Sequence, residues 1–139
     1  MPASFSELLD AVEFVSVDDY GENEAALSRE TGKIHFRSRV SDLDEMPDDL
    51  EDHYEKYIAI PNKRDLDLGT SLVFDFVDEF LPDDFDEVRS IFNRKGAYGR
   101  FRDLLTRRHA VDRWYAFEAK ATERELREWC ELNSIAVEG

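Results

Sequence analysis

A chain of 139 residues that is 42% hydrophobic and 12% aromatic can bury a core without help from a metal, and its single cysteine, Cys130, excludes an internal disulfide. A formal net charge of −15 works against long-range attraction to DNA, RNA or anionic lipid. No run approaches the ~20 apolar residues of a membrane span, and Pro2-Ala3-Ser4-Phe5-Ser6-Glu7 lacks the basic and apolar regions of a signal peptide, so a single cytoplasmic domain over residues 1–139 is the expectation.

Ser4 and Glu7 have the spacing of a capping box, and Phe5, Leu8, Leu9 and Val12 follow on one face of a helix over residues 5–14. Residues 24–28 and 33–37, separated by Arg29-Glu30-Thr31-Gly32, read as a β-hairpin, with Gly32 supplying the positive φ of the turn. The second strand alternates, predicting Ile34 and Phe36 inward and Lys33, His35 and Arg37 towards solvent. Asp42, Asp44, Glu45, Asp48, Asp49, Glu51 and Asp52 form the most acidic stretch. It is no calcium loop: counted from Asp42, Pro47 and His53 stand where Gly and Glu are required. A solvated acidic loop or short exposed helix is expected there instead.

Residues 56–61 read as a third strand stopped by Pro61, with Ile58 and Ile60 facing the core. Residues 64–70 form a polar connector or first helical turn. Leu72, Val73, Phe76, Val77 and Phe80 mark a helix that ends before Pro82. Asp83 is placed to cap the next, which buries Phe85, Val88, Ile91 and Phe92 and breaks at Asn93-Arg94-Lys95-Gly96. Ala97, Phe101, Leu104 and Leu105 then share one helical face, and Asp103 is spaced to pair with Arg100 or Arg107. Past His109, Val111, Trp114, Tyr115 and Phe117 cover so wide an arc that a largely buried helix is predicted. Thr122-Glu123-Arg124-Glu125 has the pattern of another capping box, opening a last helix lined by Leu126, Trp129 and Cys130. The fold expected is α+β: a three-stranded antiparallel sheet over about residues 24–61, packed against about five α-helices.

Gly96-Ala97-Tyr98-Gly99-Arg100-Phe101-Arg102-Asp103, followed by Arg113-Trp114-Tyr115-Ala116-Phe117, resembles the C-terminal half of uncharacterised protein family 0158. The Thr31-Gly32 turn and the strand from Tyr57 to Pro61 are similar to its N-terminal half. The resemblance implies a bacterial, cytoplasmic α+β protein and brings no catalytic residue with it.

Tests for specific chemistry agree. Gly96 and Gly99 lack the spacing of a phosphate loop, and a helix, not a strand, precedes them. Lys95-Gly96-Ala97-Tyr98 has alanine where an RNA-recognition strand requires an aromatic. His35, His53 and His109 fall in different elements, so no base serves a serine or cysteine nucleophile. Cys130 reads as a small hydrophobe rather than a reactive thiol. No catalytic residue, cofactor or metal site is assigned, and the balance leans away from an enzyme.

The charge is unevenly spread. Residues 1–88 hold 25 acids against 7 bases, whereas residues 89–113 hold 8 bases against 2 acids. The first functional expectation is therefore a non-enzymatic module whose carboxylates, Asp75, Asp78, Glu79, Asp83 and Asp84, with Asp86 and Glu87, meet a basic protein. The alternative is anion or nucleic-acid binding through the basic segment bounded by Arg94 and Arg113, with Lys95, Arg100, Arg102, Arg107 and Arg113 as contacts. Net charge disfavours nucleic acid, and intramolecular ion pairing competes for the same arginines. Trp114 and Tyr115 are expected to pack in the core, ligand stacking being the other use of such rings.

Overall fold

A computed structural model describes residues 2–17 and 22–139. The chain is α+β, as expected, and divides into two compact units: Met1–Leu66 with Glu123–Gly139, and Asp67–Thr122.

The first unit begins with strand β1 (Ala3–Ser4) and helix α1 (Phe5–Val15). Ser4 caps α1, its Oγ accepting the Glu7 N–H at 3.3 Å, so the predicted signal works. Phe5, Leu8, Ala11, Val12 and Val15 form the buried stripe. Strands β2 (Asn23–Ser28) and β3 (Ile34–Ser38) make the expected antiparallel hairpin, with Gly32 at φ 74°. Strand β4 (Leu43–Asp44) pairs with β3, and β5 (Tyr57–Ala59) pairs with β2. The sheet order is β4-β3-β2-β5, four antiparallel strands rather than three.

The extra strand lies inside the acidic stretch expected to be loop or helix. Carboxylates that face water leave the backbone free to pair, and Leu43 and Asp44 sit opposite Ser38 and Arg37. A further pair was not anticipated: β6 (Val137–Glu138) runs parallel to β1. Two-residue strands carry no periodicity, and this pairing joins the ends of the chain.

The second unit holds α2 (Thr70–Phe80), a 3-10 turn at Pro82–Asp84, α3 (Phe85–Ile91) and α4 (Ala97–Arg107). Helix α5 (Val111–Leu132) begins in this unit and ends in the first. Phe76 is fully buried among rings, with centroids 5.0 Å from Phe80, 5.3 Å from Trp114 and 5.4 Å from Phe117. Phe101 contacts Trp114 and Phe92, continuing the cluster. Such edge-to-face pairs add to the stabilisation from burying apolar area.

Several helix boundaries differ from expectation. Asp84, not Asp83, occupies the cap position of α3, and its side chain makes no capping bond because it is engaged by Arg108. The capping-box pattern at Thr122 does not interrupt α5. Thr122 Oγ1 donates instead to Glu118 O at 2.8 Å, which satisfies the hydroxyl inside a continuous helix. The first turns of α5 are also less buried than predicted: Trp114 is buried, but Tyr115 is 47% exposed and Phe117 half-buried.

Helices α4 and α5 end alike. His109 and Ser134 take positive φ, and the next amides reach back five residues, Ala110 to Leu105 O and Ile135 to Cys130 O, each at 2.8 Å. This is the glycine-type helix stop built without glycine.

Candidate interaction surfaces and a cavity on the sheet

The acidic candidates lie in the second unit. Burying Leu72, Val73, Phe76 and Val77 turns the opposite face of α2 outward, and that face carries Asp75, Asp78 and Glu79, all exposed. Asp83 is exposed in the turn beyond it. None of these four carboxylates has a cation partner among the described residues.

Asp84 behaves differently. It is buried, and its two carboxylate oxygens accept from Arg108 Nε and Nη2 at 2.9 and 2.8 Å. This two-pronged bond holds the Asp84 carboxyl below the usual aspartate range. Asp86 pairs with Arg89 at 2.9 Å and Glu87 with Arg107 at 3.2 Å. Asp84 and the acids of α3 are therefore arginine-paired, whereas Asp83 and the acids of α2 have no cation partner among the described residues.

The basic candidates are divided in the same way. Arg107 is committed to Glu87, so the helix-internal pairing anticipated for Asp103 gives way to a bond between helices. Arg113 lies over the Phe80 ring, 5.3 Å from its centroid. Arg94, Lys95, Arg100 and Arg102 are exposed and have no partner among the described residues. They surround the start of α4, where Gly96 sits at φ 74° without a side-chain cap and Tyr98 is 55% exposed. Among the described residues no cluster of three or more His, Cys, Asp or Glu could hold a metal. Cys130 is buried, and burial pushes its thiol pKa up, as befits a small hydrophobe.

The first unit contains a feature that the sequence did not reveal, a cavity of about 410 Å³ lined by the outer face of the sheet and also by Val15 of α1, Ala25 and Ile60. Strand alternation carries Glu24 and Ala26 to this face, with Arg37, Tyr57 and Ala59 opposite them or beside them in register. The acidic segment after β4 contributes Met46, Leu50 and Tyr54, spaced four residues apart, to the lining. Carboxylates dominate that segment's composition and mask this apolar spacing, which was the one signal available.

Two bonds fix the polar groups here. Arg37 donates from Nε and Nη2 to Glu24 Oε2 at 3.2 and 2.6 Å, which raises the guanidinium pKa. Tyr57 Oη donates to Asp49 at 2.6 Å, which pushes the phenol up to about 12 and holds the Asp49 carboxyl low. His35, expected in solvent, is half-buried, its ring 6.1 Å from that of Tyr57 and its Nδ1 3.3 Å from Glu45 O.

Sheet unit and aromatic helical unit together define a small α+β protein with two charged helical surfaces and a lined cavity on the sheet. No helix among the described residues is long and apolar enough to cross a membrane. Residues 3–138 match the Uncharacterised protein family (UPF0158), and the chain belongs to that family. No curated protein and no solved structure matches it.

Proposed function

We propose that the protein is a non-enzymatic interaction module of the bacterial cytoplasm that binds a basic protein through the outward face of α2. The reading is carried by one contrast. Asp75, Asp78, Glu79 and Asp83 are exposed and have no cation partner among the described residues, while the neighbouring acids Asp84, Asp86 and Glu87 are neutralised by arginines. A free row of carboxylates on a rigid helix gives a basic partner both a steering field and a fixed register. Asp84, committed to Arg108, supports the turn and is left out of the contact.

The test is capture from lysate on the immobilised chain, with and without Asp75→Asn, Asp78→Asn, Glu79→Gln and Asp83→Asn together. A basic protein should bind at low salt, be released near ~0.5 M salt, and be lost with the variant. Equal capture by the variant would exclude the α2 face.

A second reading, anion or nucleic-acid binding around Arg94, Lys95, Arg100 and Arg102, is supported by those four cations, exposed and without a partner among the described residues, beside the uncapped start of α4 and the exposed Tyr98 ring. Arg107 and Arg113 would contribute little, since Glu87 and Phe80 already hold them. Arg100→Ala with Arg102→Ala should abolish any RNA recovered in the same experiment and flatten its salt dependence.

A further inference from the structure

We propose that the cavity on the outer face of the first unit's sheet binds a cationic group, guanidinium or ammonium, carried on a slender apolar stem. The inference stands independently of the α2 reading, because it concerns different residues in the other unit.

The shape comes from the sheet. Ala26 and Ala59 face each other across β2 and β5 with no side chain beyond Cβ, and they leave a shallow floor. Tyr57 stands beside that floor, its phenol tied to Asp49, so its ring is held in one orientation. Met46, Leu50 and Tyr54 complete the lining. A volume of about 410 Å³ falls within the range of small-molecule sites and holds a stem of several methylenes with its head group. Apolar walls favour the stem, and Tyr54 and Tyr57 in the lining favour a cation over an anion, because an aromatic ring attracts positive charge.

The charge around the cavity sets the sign of the head group. Arg37 is the one cation lining it among the described residues, and Glu24 neutralises that guanidinium through two hydrogen bonds. Asp65 also lines the cavity, and no cation pairs with it among the described residues. Its side chain is positioned by Asn62: the Asn62 N–H donates to Asp65 Oδ2 at 3.4 Å, and the Asp65 N–H donates back to Asn62 Oδ1 at 2.8 Å. An anion would meet uncompensated negative charge, increased by Asp48, Glu51 and Asp52 in the adjoining segment. A purely apolar ligand would desolvate Asp65 without replacing its lost water. A cation on a stem satisfies both the carboxylate and the walls. A basic side chain of a peptide and a free polyamine share this chemistry.

The experiment follows backbone amide NMR shifts at Ala26, Ala59 and Asp65 during titration of the full chain with N-acetyl-arginine amide, spermidine and the neutral isostere N-acetyl-citrulline amide. The two cations should shift these resonances, and citrulline should bind at least about tenfold more weakly. The stronger of the two cations identifies the source, peptide side chain or polyamine. Asp65→Asn should weaken binding about tenfold, and Ala59→Leu, at a position exposed enough to keep the fold, should block it by filling the floor. The four-residue α2 variant should bind as wild type does. Citrulline binding as well as arginine, or unchanged affinity in both Asp65→Asn and Ala59→Leu, would overturn the assignment.

Discussion

Two acidic stretches, one in each unit, are held in different ways. In the second, the acids at the start of α3 are drawn to arginines of α3 and α4: Asp84 to Arg108, Glu87 to Arg107, Asp86 to Arg89. In the first, the acidic segment between β4 and β5 stays largely in solvent, and it meets sheet side chains through Asp49, which accepts from the Tyr57 phenol, and through Glu45 O beside His35. Ion pairs hold the acids around α3, whereas the β4–β5 segment is tied to the sheet by a hydrogen bond; ion pairs in the first unit fall elsewhere, Arg37 with Glu24 and Lys63 with Glu13. A surface acid therefore says little until its partner is known. Asp83 and Asp84 are neighbours in sequence, yet one is exposed with no cation partner among the described residues and the other is buried in an ion pair.

The largest test of this division is in the cores. Phe76→Ala removes the ring at the centre of the aromatic cluster and should cost about 3–5 kcal/mol. Leu8→Ala, in a fully buried position of α1, should cost about 2–5 kcal/mol. Trp114 reports on the second unit and Trp129 on the first. We propose that the chain melts as one domain, because continuous α5 supplies buried side chains to both units, Trp114 to one and Leu126 and Cys130 to the other. Phe76→Ala should then lower both tryptophan transitions together. Separate fluorescence transitions would make the units independent domains.

The next effect is the Asp84–Arg108 pair. Asp84→Asn should lower Tm by a few degrees at neutral pH, modestly because Arg108 is 45% exposed and hydrates readily when released. The sign with pH follows from the depressed carboxyl. An aspartate held below its ordinary 3.8 stabilises the fold above that value and loses the contribution as pH falls through the lowered one. Thermal melts of wild type and Asp84→Asn should therefore differ at pH 7 and converge only as pH falls below 3.8 through the lowered value. A constant difference would mean that packing, not charge, holds Asp84.

That pair also shows what could be read from sequence and what could not. Local signals were legible: the Ser4 cap, the Gly32 turn, the Gly96 break and the buried face of α4 each depend on residues within one turn or hairpin. Tertiary partners were not. Asp84 and Arg108 are 24 residues apart, and local spacing instead suggested Asp103 for the arginines. The Thr122 pattern misled because a hydroxyl that caps a new helix can equally bond back within an existing one. For the charged surfaces, spacing identified the α2 acids and the basic run, but which members remained free was decided by contacts across helices. The sheet cavity was least legible, because it depends on register between strands and on a segment whose composition is almost all charge.

A smaller effect belongs to the first unit. The Tyr57 phenol should titrate at about 12 by ultraviolet absorbance, and Asp49→Asn should return it towards its ordinary 10.0. Because the folded value is raised, the bond contributes fully below pH 10.0 and is lost as pH rises to about 12. This lies opposite to the acid-side loss expected at Asp84, so stability curves at the two ends of the pH scale would separate the two devices. A Tyr57 titration unmoved by Asp49→Asn would show that the phenol is not held by that carboxylate.

The finest comparison is between two glycines three residues apart. Gly96 has φ 74°, a conformation in which any Cβ is strained, so Gly96→Ala should cost about 1 kcal/mol despite open space around it. Gly99 lies inside the first turn of α4 with nothing within 4 Å of an added Cβ, so Gly99→Ala should stabilise by roughly 0.5 kcal/mol. Opposite signs from urea denaturation would separate a glycine the backbone requires from one it does not. The consequence reaches the second functional reading. A glycine that folding does not need leaves the first amides of α4 bare, with Lys95 and Arg102 nearby in sequence and unpaired. If Gly99→Ala stabilises the fold yet weakens recovery of RNA, access to those amides is what the residue provides. If it stabilises the fold and leaves every captured partner unchanged, the start of α4 is only a helix end, and the free carboxylates of α2 remain as the surface to pursue.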